Sequence, residues 1–194
     1  YDEAKEDCDK ALVLKPQFGG ANYRKGLILC ELGKYEEAIE VFERLLDDEE
    51  FSDIVGYFKG VALKNLEKYE EALEYVDRYI IAHPDYREPY LEKADILIAL
   101  GEYEKAIESC NTLLDRDAKD IGAFIKKSAV FFRQEKFEEA LKCIEDAMAI
   151  SVDYPALNYY KGEILRNMGK PEESIGFFDK YIEKVPEQPN PYVG

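Results

Sequence analysis

Alanines at Ala4, Ala38, Ala72, Ala106 and Ala140, continued by Ser174, stand 34 residues apart without an insertion or deletion along the chain. Other columns keep the same step. An aromatic falls at Tyr1, Tyr35, Tyr69, Tyr103 and Phe137, and a small residue at Gly26, Gly60, Ala94, Ser128 and Gly162. Several unlike columns in one register make the period structural, so the chain reads as one unit repeated. A repeat array buries a long thin core between neighbours instead of a single globular one.

Within a unit the apolar residues recur at helical spacing, as in Ile28, Leu29 and Leu32, then Ala38, Ile39, Phe42, Leu45 and Leu46. Leu32-Gly33-Lys34 breaks the two runs, so each unit reads as a helical hairpin. Glu36-Glu37, Glu70-Glu71, Glu138-Glu139 and Glu172-Glu173 open the second helix, where free amide N–H groups favour negative charge. Pro16, Pro84 and Pro186 mark its exit.

A 34-residue helix-turn-helix unit carrying Gly33-Lys34-Tyr35-Glu36-Glu37-Ala38-Ile39 resembles the tetratricopeptide repeat. The resemblance implies an all-α solenoid of antiparallel helix-turn-helix repeats forming a right-handed superhelix. It places one array over residues 1–194. Residues 1–18 form the second helix of a partial repeat. Full repeats follow at 19–52, 53–86, 87–120, 121–154 and 155–188, and residues 189–194 are a tail or the start of a further repeat. Where the family pattern asks for Trp in the first helix, this chain has Asn22, Gly56, Tyr90, Phe124 and Asn158, and Lys replaces the family's Leu. The exit proline is replaced by Glu50, Ala118 and Val152.

The chain starts and stops mid-repeat without an initiator Met, and reads as a fragment of a longer protein. No apolar run approaches the roughly 20 residues of a membrane helix. Cys8, Cys30, Cys110 and Cys143 show no CxxC pair and fall in or near core columns, which fits reduced, packed thiols and an intracellular, cytoplasmic setting. A net charge of −16 argues against nucleic acid, which demands clustered Lys and Arg.

In proteins that this chain resembles, first helices line a concave groove. The column Tyr23, Tyr57, Leu91, Ile125 and Tyr159 and the positions four and seven residues on share one helical face. Its candidate peptide-binding residues are Tyr23, Leu27, Tyr57, Val61, Lys64, Leu91, Asp95, Ile98, Ile125, Phe132, Arg133, Tyr159 and Arg166. The floor is expected to be apolar and rich in tyrosine. With flanking positions included, five bases (Arg24, Lys64, Lys126, Arg133, Arg166) balance five acids (Glu31, Glu88, Glu92, Asp95, Glu163). The acidic excess therefore lies on second helices and turns such as Asp47-Asp48-Glu49-Glu50, which read as solvated and lack the alternating oxygens of a calcium loop. Inside the groove, Glu88, Glu92 and Asp95 against Lys126 and Arg133 either orient a bound segment or are incidental surface variation.

Lys25, Lys59, Lys93, Lys127 and Lys161 form an unbroken column. On an ideal helix they point roughly opposite to the groove residues two before and two after. Their stems are expected at inter-repeat seams, with the ammonium groups reaching water or acids. The chaperone-tail carboxylate clamp of one subclass is excluded. Its Lys and Asn columns read Tyr23/Leu27, Tyr57/Val61, Leu91/Asp95, Ile125/Ala129 and Tyr159/Glu163 here.

No nucleotide or nucleophile-elbow motif occurs, adjacent acids diverge on a helix, and the one histidine, His83, sits before Pro84 with an expected solvated or carbonyl-capping role. Neither a cofactor, a metal nor catalysis is expected. The leading reading is a scaffold that binds a protein or peptide in its groove, with no nucleic-acid or membrane partner. The rivals are self-association through the apolar end faces, Tyr1 to Leu14 and Ile175, Phe178 and Ile182, and a regulatory arm of a larger enzyme.

Overall fold

The computed structural model describes residues 13, 18–151 and 153–185. The rest of the half-repeat expected at 1–18 (with Cys8 and Pro16), Val152, Pro186 and the tail at 189–194 lie outside the described residues. In chain order the helices are α1 (Gly19–Glu31), α2 (Tyr35–Glu43), α3 (Ser52–Asn65), α4 (Tyr69–Ala82), α5 (Glu88–Ala99), α6 (Tyr103–Arg116), α7 (Ile121–Arg133), α8 (Phe137–Ile150), α9 (Pro155–Asn167) and α10 (Pro171–Lys184). No strand occurs among the described residues. Among the described residues, those up to Gly101 form one compact unit and those from Glu102 a second. In the first, each helix packs on the next from α1 to α5, and α3 also touches α1 and α5. In the second, each helix packs on the next from α6 to α10.

The break inside each hairpin has one cause. Gly33, Gly101 and Gly169 hold φ of 71°, 75° and 75°, and Glu67 and Glu135 hold φ of 59° and 58° at the same repeat position. This left-handed residue turns the chain so that its own amide and the next bond back into the helix. Gly33 N–H donates to the Cys30 carbonyl at 3.0 Å and Lys34 N–H to the Leu29 carbonyl at 2.8 Å, a Schellman cap that satisfies two otherwise orphaned carbonyls. The predicted glutamate pairs occupy the first turns of α2, α4, α8 and α10.

The small-residue column lets the two helices of a hairpin approach. A Cβ on Gly26 would collide with the Phe42 ring, and one on Gly162 would stand 2.7 Å from the Phe178 ring. At the same position Ser128 Oγ donates to the Ala140 carbonyl at 2.9 Å. The freed space is taken by rings: Phe42 is fully buried with Leu29, Ala38 and Val55, and burial of such a side chain stabilises by about 1.5–3 kcal/mol.

One element differs from its expectation. The apolar spacing extends the second helix of repeat 19–52 through Leu46, but α2 ends at Glu43. Leu45 and Asp48 amides bond only three residues back, to Phe42 and Leu45 carbonyls, at 2.9 and 3.1 Å. Asp47-Asp48-Glu49-Glu50 would place four acids at a helix C-terminus, against the dipole. Asp48 instead accepts the Glu50 amide on its side chain at 3.0 Å, which competes with the helix.

Candidate functional site

In the first unit the predicted groove residues are Tyr23 and Leu27 on α1, Tyr57, Val61 and Lys64 on α3, and Leu91, Asp95 and Ile98 on α5. With α3 between α1 and α5, these first helices form one continuous layer. All of these side chains are half-buried except Tyr57, which is 9% exposed. Tyr23 sits 5.9 Å from the Phe51 ring and 6.0 Å from Phe58, and Tyr57 packs 5.2 Å from Phe58 and 4.8 Å from Tyr79 of α4. In the second unit Ile125 and Phe132 on α7 and Tyr159 on α9 are half-buried, whereas Arg133 and Arg166 are exposed. Tyr159 rests 5.5 Å from Tyr181 of α10, repeating the pairing of Tyr57 with Tyr79.

The sequence did not show how deeply Tyr57 is covered. Its neighbour Tyr79 belongs to a second-helix column that otherwise holds Leu45, Leu113 and Ala147, with Tyr181 the other tyrosine. Burial pushes the Tyr57 phenol well above its ordinary pKa, with Glu92, Glu88 and Tyr79 adding to the shift, so it stays a neutral hydrogen-bond donor.

The charges on this face are largely matched. Lys64 Nζ donates to Glu92 Oε2 at 2.6 Å between α3 and α5, Arg166 pairs with Glu163 at 2.7 Å, and Glu88 lies 3.6 Å from Arg87. Asp95 and Lys126 also have interaction partners. The residual character of the first unit's face is therefore apolar, carried by Leu27, Val61, Leu91 and Ile98 around one ion pair.

The lysine column is tied into the fold. Lys59 donates to Glu43 at 2.7 Å, Lys93 pairs with Asp77 at 2.6 Å, Lys127 donates to Asn111 at 2.9 Å and Lys161 to Glu145 at 2.7 Å. Each partner lies 16 residues earlier, on the preceding second helix. Lys59 and Lys161 also stand 4.9 Å above the rings of Tyr75 and Phe177, 16 residues later. Burial alone would lower the pKa of Lys59. Its bonds to Glu43 and Tyr75 outweigh that and hold it above the ordinary lysine value. These lysines link neighbouring repeats and are not free for a ligand ladder.

Of the two roles expected for His83, the solvated one fits: its side chain is 35% exposed. Its Nε2 lies 3.2 Å from Asp53 Oδ2, with the ring 4.5 Å from Tyr79 and 5.9 Å from Tyr86. Cys30, Cys110 and Cys143 are not in disulfides. Burial, with Glu31 adding, pushes the Cys30 thiol up to about 11. Among the described residues no group of three His, Cys, Asp or Glu is placed to hold a metal ion, and no helix is long and apolar enough to cross a membrane.

A cavity of about 380 Å³ beside Gly56, walled by Leu46, Tyr75 and Tyr79 with Asp47, Asp53 and Arg78 also on its lining, lies apart from the predicted groove columns. The sequence signal for it was the glycine in the family's Trp column.

The family model for the tetratricopeptide repeat matches residues 1–53, 59–121 and 127–189. Among curated proteins the chain is 26% identical over 101 residues to DnaJ homolog subfamily C member 3 of Mus musculus, covering 52% of this chain and 20% of that protein. It is 29% identical over 203 residues to the Hsp70-Hsp90 organizing protein of Triticum aestivum, covering 96% of this chain and 31% of that one. The chain thus spans less than a third of either relative's length. Among solved structures, TTC0263, a thermophilic TPR protein of Thermus thermophilus, superposes with a TM-score of 0.75 at 20% identity, over 88% of this chain and 93% of that one. YrrB, a TPR protein with an unusual peptide-binding site, superposes with a TM-score of 0.62 at 16% identity, over 95% of both chains.

Proposed function

The chain belongs to the tetratricopeptide repeat family, and we propose that it is a non-catalytic scaffold whose first-helix face receives an extended or helical segment of a partner protein. One observation carries this reading: α1, α3 and α5 lie side by side and present Leu27, Val61, Leu91 and Ile98 as a half-buried apolar layer crossed by the Lys64–Glu92 ion pair. Such a face gains by covering apolar area and does not demand a charged ligand. The peptide-binding site of YrrB supports the same direction. A short segment ordered on such a face binds near micromolar, roughly −8 kcal/mol, because immobilising it offsets much of the contact energy.

Binding of chaperone C-terminal tails is not part of this proposal, although one relative is an Hsp70-Hsp90 organizing protein. The positions that would hold a carboxylate clamp carry Tyr23 and Leu27, Tyr57 and Val61, and their equivalents, which supply no cationic cradle. The unbridged thiols at Cys30, Cys110 and Cys143 support a reducing, cytoplasmic setting.

The test is selection of peptides from a displayed library against the unmodified chain, followed by titration of the winners against Leu91→Gln and Ile98→Gln with helicity checked by circular dichroism. Affinity is expected to fall at least about tenfold in each variant, or roughly 1.4 kcal/mol. Unchanged affinity, or selection of no peptide, rejects the first-helix face as the working surface.

A second reading rests on α10. Ile175 and Ile182 are 59% and 58% exposed, while their repeat equivalents Leu73 and Ile80 are half-buried in a core cluster. An apolar face of this kind favours self-association. Light scattering over a concentration series decides it: a constant monomer mass for the unmodified chain removes this reading and leaves the first alone.

A further inference from the structure

We propose that the cavity beside Gly56 is a binding site for a guanidinium or ammonium group carried on an apolar stem, a surface separate from the first-helix face. Four observations converge on it.

The recess lies where this chain has no side chain. Asn22, Tyr90 and Asn158 occupy the same repeat position and are buried, and Phe124 is half-buried there. At Gly56 an added Cβ would meet only Tyr75 Cδ1, at 3.6 Å, an ordinary contact. This glycine is therefore not required for close helix approach, unlike Gly26 and Gly162, whose added Cβ would run into the rings of Phe42 and Phe178. A mid-helix glycine with no packing role is costly. Here it leaves a recess of about 380 Å³, within the range of small-ligand sites.

The recess is mostly polar, with Ser52 also on its lining, and Leu46, Tyr75 and Tyr79 give it one apolar side against which a stem can lie. Its charge selects a cation. Asp47 and Asp53 line it against Arg78 alone, a net of −1, and Asp48, Glu49 and Glu50 follow Asp47 in the same turn. Asp53 is held 3.2 Å from His83 Nε2, which orients its carboxylate at the rim. The Tyr75 ring already carries the protein's own cations, with Lys59 Nζ 4.9 Å and the Arg78 guanidinium 5.9 Å from its centroid, so holding the ligand's charge falls to Asp47 and Asp53. An anion would meet this acidic turn at a disadvantage, and a neutral ligand would forgo the carboxylates.

The chemistry is shared by an arginine side chain of a partner and by a free alkylguanidine, and two probes separate them. Amide NMR spectra of the unmodified chain are recorded with agmatine, with a capped pentapeptide bearing one central arginine among alanines, and with uncharged butylurea. Saturable shifts at Gly56, Asp53 and Arg78 are expected with agmatine and the peptide, and at least about fivefold weaker binding with butylurea. Asp53→Asn, a substitution at the rim that leaves the core intact, is expected to weaken agmatine about fivefold, and Gly56→Phe to abolish the shifts by filling the recess. Tighter binding of the peptide assigns the site to a partner's side chain, and tighter binding of agmatine assigns it to a small molecule. Absence of saturable shifts with either cation, equal binding of butylurea, or an unchanged response in Asp53→Asn overturns the proposal. If Gly56→Phe does not fold, the Asp53→Asn and butylurea comparisons decide alone.

Discussion

At the residue scale, one position per hairpin sets the turn, and it is filled unevenly. Gly33, Gly101 and Gly169 adopt the left-handed conformation freely, whereas Glu67 and Glu135 are forced into it at φ of 59° and 58°. A Cβ in that region costs roughly 1–2 kcal/mol. Glu67→Gly and Glu135→Gly are therefore each expected to stabilise the chain by about 1 kcal/mol, after the greater freedom of glycine in the unfolded chain is deducted. Urea denaturation checks this, and a loss of stability would show that the glutamate side chains make a contact worth more than the strain. The two kinds of helical glycine give a sharper contrast. Gly26→Ala drives a methyl into the Phe42 ring and is expected to cost about 1–2 kcal/mol net of helix propensity. Gly56→Ala meets only the Tyr75 ring, at an ordinary contact distance of 3.6 Å, and is expected to gain about 1 kcal/mol. Equal effects of the two substitutions in the same denaturation series would mean that helix propensity alone governs both sites.

At the element scale, α10 shows what a neighbouring repeat contributes. Leu73 of α4 is half-buried against the cluster of Tyr57, Val76 and Ile96, while its repeat equivalent Ile175 of α10 is 59% exposed. Leu73→Glu strands a carboxylate in a seam and is expected to cost about 2 kcal/mol or more. Ile175→Glu is expected to stay within about 0.5 kcal/mol, as a surface substitution does. A large cost at Ile175, read from the same melts, would mean that a copy of the chain covers α10 in solution. This contrast also explains which elements were legible in the sequence. The starts of α2, α4, α8 and α10 follow from glutamate pairs and a constant column step, because both act locally. The end of α2 was not legible, since apolar spacing through Leu46 competes with an acidic run whose effect depends on the backbone groups it meets. For the candidate site, the face assignment needed only helical geometry. The depth of Tyr57 did not follow from it, because Tyr79 is 22 residues away and covers Tyr57 only after α3 and α4 pack. The recess at Gly56 is hidden for the same reason: a missing side chain becomes a void only if its neighbours do not collapse into it.

At the scale of the whole molecule, 42 acidic residues against 26 basic ones leave a net charge of −16. Two electrostatic effects then oppose each other as salt is added. The seam bonds of Lys59, Lys93 and Lys161 to Glu43, Asp77 and Glu145 would be weakened by screening. Their acidic partners have side chains that are 52%, 39% and 51% exposed, so each pair is worth only about 0–1 kcal/mol. The excess acids repel one another over distances that added salt cuts to a Debye length of about 10 Å at 0.1 M and about 3 Å at 1 M. They cluster along the sequence in the first turns of second helices and in the Asp47–Glu50 turn, within a low-salt Debye length of one another. Repulsion between like charges is thereby the larger of the two effects. The urea midpoint is expected to rise as sodium chloride increases from about 10 mM to about 0.5 M. A midpoint that falls over this range would instead make the lysine seams the dominant electrostatic feature, and Lys59→Met would then remove a measurable part of the salt dependence, because Lys59 joins Glu43 and the Tyr75 ring across one seam.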